Sequence, residues 1–275
     1  MSDTGMPVQS PAPAVLKRLL VNEASPGPLA FLLLSLVFVC LAVSAVHPQY
    51  IENDDVTILD FAARGFMVPY AGVLFTGFLH LLYTTAPGVP WYPLGLYALH
   101  LLALSLWLAL VWRVFRPAWL ALLFTALLLG SYLVFLAYLN YTSTSAMLCM
   151  AAVTSACLDA AERRAGFRRY ALYGIVLMLG MLARPQGAMG ALVYMLPYGL
   201  LTAILCLRGQ TWATEVRRLL FIALVFFVPA SLNTVADGVL RHYAATPEQQ
   251  RYDAFNGPRG RLDRLGGAAK QAILS

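Results

Sequence analysis

The chain has 275 residues, 60% of them hydrophobic and only 12% charged, whereas a soluble domain carries roughly 25% charged residues. The composition therefore excludes an ordinary soluble domain, and the continuous apolar runs, which lack the alternation of lipid-facing strands, exclude an outer-membrane barrel. The net charge of +6 does not indicate a nucleic-acid partner, because the basic residues lie in short clusters between apolar runs, as in the cytoplasmic loops of membrane proteins.

The first predicted elements are a leader, residues 1–27, and a membrane span at about 28–47. The leader is rich in Pro and Ser and places Lys17 and Arg18 shortly before the apolar run. A basic pair before an uncleaved apolar segment is typical of a signal anchor. We therefore expect a cytoplasmic N-terminus and a first span that ends outside.

The acidic segment 47–68 follows this span. Asn53 is a good N-cap, so the pair Asp54-Asp55 would occupy the first turn of a helix that ends near Gly65. The pair has two interpretations, which the residues leave open. It complements the helix dipole, or it acts at the membrane–water boundary as a general base or as ligands of a divalent cation.

Two further patterns describe this helix. Asp60 and Arg64 are four residues apart and can pair on its surface. An apolar stripe, formed by Val56, Leu59 and Ala63, suits a helix that lies along a membrane surface. The segment is therefore predicted to be a surface helix.

The next apolar stretch, residues 70–83, decides the topology. Further spans are predicted at about 91–113, 117–139, 144–161, 169–184, 187–207 and 217–238. If 70–83 also crossed the membrane, the arginines at 113, 116 and 163–169 would lie outside, against the positive-inside rule. We therefore predict about seven spans and an outer re-entrant or juxtamembrane helix at 70–83, with a basic outer tail, residues 241–275, after the helical domain 28–240.

This outline resembles the start of the GT-C superfamily of membrane glycosyltransferases, which includes protein mannosyltransferases and aminoarabinose transferases. The motifs that carry the resemblance to a group of bacterial multi-span proteins are Glu52-Asn-Asp-Asp55, Gly65, Leu82-Tyr83, Pro90-Trp-Tyr92 and the blocks 141–145 and 252–259. The resemblance implies transfer of a sugar from a polyprenyl-phosphate carrier to a glycan or lipid acceptor outside the bacterial inner membrane. It implies that Asp54 or Asp55 positions or deprotonates the acceptor.

The superfamily often has a second acidic residue in the next outer loop. The corresponding segment here, residues 140–145, contains none. A non-catalytic membrane subunit or carrier for lipid-linked sugars is therefore the alternative function.

Other residues complete the candidate site. Arg184 at the outer end of a span, together with Arg64, is a candidate for binding the donor phosphate, although an arginine there can also reach lipid headgroups.

His47 and His80 could join a metal or acid–base site, or be solvated. The candidate substrate contacts are His80, Tyr83, Tyr92, Tyr141, Asn256 and Arg259, and the tyrosines at 83 and 92 alternatively form an interfacial aromatic belt. The four cysteines lack metal-site spacing, and no cofactor is certain beyond a possible divalent cation.

Overall fold

The computed structural model describes residues 26–46, 49–50, 53–65, 71–162, 167–207 and 231–240, with isolated positions between 223 and 254. Within these ranges, the side chains of 49–50, 53–57, 167 and 205–207 are not described. Residues 1–25 of the predicted leader, half of the predicted span 217–238 and nearly all of the tail lie outside the described residues. So do His47, Asn256 and Arg259.

The described part of the chain is helical apart from one short parallel strand pair, which confirms the predicted all-α class. The elements in chain order are α1 (Pro28–Val46), β1 (Gln49–Tyr50), α2 (Asn53–Arg64), α3 (Val73–Thr85), α4 (Trp91–Val114), α5 (Ala118–Ala137), β2 (Tyr138–Leu139), α6 (Tyr141–Ala161), α7 (Phe167–Ala183) and α8 (Pro185–Leu207). Residues 231–240 form a further helical segment.

Five of the described helices, α1, α4, α5, α6 and α8, are long and apolar enough to cross a membrane. They contain 19 to 24 residues, and at about 1.5 Å per residue such helices match the ~30 Å thickness of bilayer hydrocarbon. They confirm the prediction of a multi-pass membrane protein in a lipid bilayer. The count of seven spans stays a prediction.

Helix α6 is the centre of the bundle and packs against α4, α7 and α8. In an apolar stretch of 18 residues in α6, 61% of the residues are buried, compared with 22–33% in the corresponding stretches of the other four candidate spans. Small side chains predominate in its sequence, and small residues let helices in membranes approach closely. Glycines on the neighbouring helices contribute to the close approach, because a Cβ at Gly187 would lie only 3.1 Å from the carbonyl oxygen of Thr142.

Helix α7 runs antiparallel to α6 over almost the same depth. The hydroxyl of Ser145 donates to the carbonyl of Gly180 at 2.7 Å. At the other end of the pair, the hydroxyl of Tyr173 donates to Asp159 at 2.8 Å. The 17-residue α7 corresponds to the span predicted at 169–184, so this predicted segment traverses the bundle even though it is shorter than the five long helices.

The two strands define one end of the bundle, which we call the ladder end. Strand β1 follows α1, strand β2 follows α5, and they pair in parallel with Gln49 opposite Tyr138 and Tyr50 opposite Leu139. The C-terminal ends of α1 and α5 therefore lie together. If α3 crossed the membrane between them, these ends would lie on opposite faces and the strands could not pair.

Helix α3 has 13 residues, or about 20 Å at 1.5 Å per residue, which is too short to cross the hydrocarbon core. Both of its ends lie at the ladder end. The amide of Gly72 donates to the carbonyl of Leu182, the penultimate residue of α7, at 3.1 Å. In the last turn of α3, the hydroxyl of Tyr83 accepts a hydrogen bond from the amide of Tyr92, at the start of α4, at 3.0 Å.

The opposite end of the bundle, which we call the basic end, contains Arg113, Arg116, Arg168 and Arg169. Arg113 bonds to the fully buried carboxylate of Asp159 and donates to Glu162 at 2.8 Å. Arg169 lies 3.7 Å from Asp159. This network joins the ends of α4, α6 and α7, and the sequence analysis did not foresee it.

The ladder predicts which exposed residues share a membrane face. We expect single cysteines at Gly88 and Tyr138 to react with a membrane-impermeant maleimide from one side, and a cysteine at Arg116 to react only from the other. The measurement uses chains whose four native cysteines are replaced by alanine, in sealed vesicles of both orientations. Labelling of position 88 from the same side as 116 would contradict the non-spanning α3.

The buried carboxylate predicts a stability effect at the basic end. Arg113→Ala should destabilise the protein by about 3–5 kcal/mol, because it leaves Asp159 buried without its closest cation. The double variant Arg113→Ala/Asp159→Asn should recover part of this loss.

Denaturation in mixed micelles measures the free energy of unfolding of the single and the double variant. Arg116→Ala is the control, because Arg116 is exposed at the same end of the bundle. Equal stability of the Arg113 and Arg116 variants would contradict a structural role for the network.

Candidate functional site

Helix α2 carries the predicted acidic pair. It begins at Asn53 and ends at Arg64, and Gly65 follows with φ of 79°. This is the helix that the sequence predicted, with Asp54 and Asp55 in its first turn and the left-handed conformation at the glycine that favours a helix end. The side chains of Asp54 and Asp55 are not among those described, so their catalytic and cation-binding roles stay predictions.

The buried face of α2 differs from the predicted apolar stripe. Ile58 and Ala62 are completely buried, in a cluster with Leu79, Tyr92 and Tyr141. Leu59 is only partly buried and Ala63 is exposed. The stripe prediction assumed that α2 lies on lipid, but α2 packs on α3 and on the ladder-end cluster, so protein contacts select a different face.

His80 holds the C-terminal end of α2. Its Nδ1 donates to the carbonyl of Ala62 at 2.9 Å. A Cβ at Gly65 would lie 2.9 Å from the imidazole ring. His80 thus fixes α2 on α3, and Nδ1 carries the hydrogen in this bond.

Arg184 lies in the turn between α7 and α8 at the ladder end. Its guanidinium is 4.5 Å from the centre of the Tyr141 ring, within the range of a cation–π contact. Nη1 donates to the hydroxyl of Thr142. Its backbone carbonyl accepts a hydrogen bond from the hydroxyl of Ser145 at 2.9 Å. The start of α6 therefore fixes both the backbone and the side chain of Arg184.

Tyr141 connects Arg184 to α2. It is fully buried in the cluster that contains Ile58, and the first turn of α2 with Asp54 and Asp55 is one turn away from Ile58 along the helix. The structure thus brings the backbone of the predicted acidic turn and the predicted phosphate-binding arginine to the same end of the bundle.

The sequence analysis predicted an outer loop at residues 140–145. In the structure these residues instead form the start of α6. Asn140 is the N-cap, and its Oδ1 accepts from the amides of Thr142 at 2.6 Å and Ser143 at 3.3 Å. The Asn followed by hydroxyl residues was a visible capping signal. The sequence analysis missed Thr142 as a contact of Arg184 because it placed the helix start at 144.

Three other candidate residues lie either in the protein interior or at its surface. Tyr92 is fully buried and Tyr83 is partly buried, so Tyr92 is not part of an exposed aromatic belt. Arg64 pairs with Asp60 at 3.0 Å on an exposed surface, which confirms that predicted ion pair. Such a surface pair contributes at most about 1 kcal/mol, and the role of Arg64 in binding the donor phosphate stays a prediction.

An acidic residue that the sequence analysis did not select also lies at the ladder end. Asp237, in the helical segment 231–240, accepts a hydrogen bond from the amide of Val73 at 2.8 Å. Gly72, the N-cap of α3, has no side chain with which to cap the helix. Asp237 therefore caps α3 from a distant part of the chain.

Among the described residues there is no group of three or more His, Cys, Asp or Glu side chains that could hold a metal ion. Comparisons with protein-family models, curated proteins and solved structures gave no match for the chain. The GT-C resemblance therefore stays a hypothesis from the sequence motifs.

The contact between His80 and Gly65 gives a test of how α2 is held. Gly65→Ala should lower the free energy of unfolding by about 1–3 kcal/mol, because alanine is strained at positive φ and its Cβ would clash with the imidazole of His80. Gly77→Ala in α3, where nothing lies within 4 Å of a Cβ, should instead stabilise the helix by roughly 0.5–1 kcal/mol.

Denaturation in mixed micelles compares the two variants. Gly65→Ala/His80→Ala should lose less than the sum of its single variants, since the steric contact is then absent. Equal effects of alanine at 65 and at 77 would contradict this packing.

Proposed function

We propose that this protein is a membrane glycosyltransferase that moves a sugar from a polyprenyl-phosphate carrier to a glycan or lipid acceptor at the outer face of the bacterial inner membrane. The observation that carries the proposal is that the α2 start and Arg184 lie at the same end of the bundle. The sequence motifs and the apolar helices support it.

The proposed orientation places the ladder end outside and the N-terminus in the cytoplasm. Its support is the positive-inside rule, since the arginines at 113, 116, 168 and 169 all lie at the opposite end of the bundle. The full proposal includes about seven spans in a GT-C-like arrangement, with α2 and α3 on the outer face.

The proposed reaction assigns separate roles to the two kinds of charge. A hydroxyl of the acceptor attacks C1 of the sugar, the bond from C1 to the phosphate oxygen breaks, and polyprenyl phosphate leaves with the bonding electrons. Asp54 or Asp55 takes the hydroxyl proton or orients that hydroxyl. Arg184 binds the phosphate, on which negative charge develops.

Contacts of Arg184 support its role. A planar guanidinium recognises phosphate best when its orientation is fixed. Stacking on Tyr141 and the bond to Thr142 fix it in two directions. Because both residues belong to the buried start of α6, little reorganisation is needed when a phosphate binds.

The decisive experiment changes Asp54 and Asp55 separately to Asn. We expect one of the two variants to lose sugar transfer by about 100-fold or more, which is the usual range for removal of a general base. Asp60→Asn is the matched control, since Asp60 is on the same helix but pairs with Arg64 on the exposed surface.

The assay measures consumption of a panel of undecaprenyl-phosphate-linked sugars by purified protein, together with the envelope glycan composition of cells. If wild type consumes a donor and both variants match it, the acidic pair is not catalytic. If the wild-type protein consumes no donor in the panel but cells that lack the protein also lack a glycan, the non-catalytic subunit or carrier is favoured.

A further inference from the structure

We infer that a groove between α5 and α6 holds the phosphate-proximal part of the hydrocarbon chain of a polyprenyl phosphate, with its phosphate beside Thr142 and Arg184. This inference rests on the proposed function for the identity of the lipid, and it adds where the carrier enters the bundle from the membrane. The groove has a volume of about 350 Å³ and is lined by Val134, Phe135, Tyr138, Asn140, Thr142, Ser143 and Ala146.

The groove exists because two consecutive helices separate. Helix α5 packs against α1 and α4, whereas α6 packs against α4, α7 and α8. Deeper in the bundle, His100 of α4 occupies the space between them. Its Nδ1 lies 3.1 Å from the hydroxyl of Tyr132 on α5, and its Nε2 lies 2.8 Å from the hydroxyl of Thr144 on α6.

The walls of the groove suit a hydrocarbon chain that arrives from the side. Val134, on α5, is 57% exposed, and Tyr138, in β2 directly after α5, is 49% exposed. The surface residues of α5 face lipid if this helix spans the membrane. Phe135 and Ala146 form an apolar inner wall. A lipid chain could therefore leave the bilayer for this groove without passing through water.

The polar end of the groove suits an anionic head. Asn140 is committed to capping, because its Oδ1 accepts from two α6 amides and its carbonyl accepts from the hydroxyls of Ser143 and Thr144. Thr142 lines the groove, and its hydroxyl accepts a hydrogen bond from Arg184, which is not itself a lining residue. The guanidinium thus lies beside Thr142 at the polar end of an otherwise apolar groove, which is the charge pattern of a single-chain lipid phosphate.

The test measures binding of radiolabelled undecaprenyl phosphate to the full chain in phosphatidylcholine nanodiscs. Val134→Trp should weaken binding about tenfold, because the indole fills the groove. Leu127→Trp is the matched control. It lies two turns earlier on α5, is 56% exposed and does not line the groove, so it should bind as wild type does.

A second arm tests the head. Arg184→Gln should weaken binding of undecaprenyl phosphate by roughly tenfold and leave binding of undecaprenol unchanged, and phosphatidylglycerol should compete poorly. Wild-type affinity in Val134→Trp, or equal competition by phosphatidylglycerol, would overturn the inference.

The binding assay separates this inference from the proposed function. If Val134→Trp binds undecaprenyl phosphate more weakly while the Asn variants at 54 and 55 transfer sugar normally, the lipid site in the groove is supported and the catalytic assignment fails. If an Asn variant loses transfer while Val134→Trp binds normally, the groove assignment fails and the catalytic one stands.

Discussion

The pairing of β1 with β2 is the constraint on which the arrangement of the ladder end depends. Two residue pairs, Gln49 with Tyr138 and Tyr50 with Leu139, tie the end of α1 to the end of α5. Because the strands are parallel, the chain leaves both in the same direction, into α2 on one side and α6 on the other. The acidic turn and the residues that hold Arg184 thereby follow adjacent strands, although almost ninety residues separate them in the sequence.

Local rules predicted several features of the ladder end correctly. The end of α2 at Gly65 followed from the conformational freedom of glycine, and the pair Asp60–Arg64 followed from helical spacing. Deeper in the bundle, His100 contacts both α5 and α6, which gives a buried polar side chain its partners. These features depend on residues close in sequence or on the cost of burying a polar group.

Tertiary packing determined what the sequence did not reveal. The buried face of α2 depends on which neighbour covers it: the predicted stripe contained Leu59 and Ala63, whereas Ile58 and Ala62 are the buried residues. Asp159 looked like one acid at the end of an apolar run, but an ionisable residue at that depth needs a partner. Arg113, on a different helix, supplies it. The polarity of the residue signals the need for a partner, but only the fold identifies that partner.

The two ends of the bundle use arginine in different ways, and this difference bears on function. At the basic end, Arg113 neutralises the buried carboxylate of Asp159, in a network that joins three helices, so removing Arg113 would lower stability. At the ladder end, Arg184 is oriented by an aromatic face and a hydroxyl, contacts that fix the direction of its guanidinium. Arg113 therefore stabilises the fold, whereas the orientation of Arg184 suits the anion recognition that we propose.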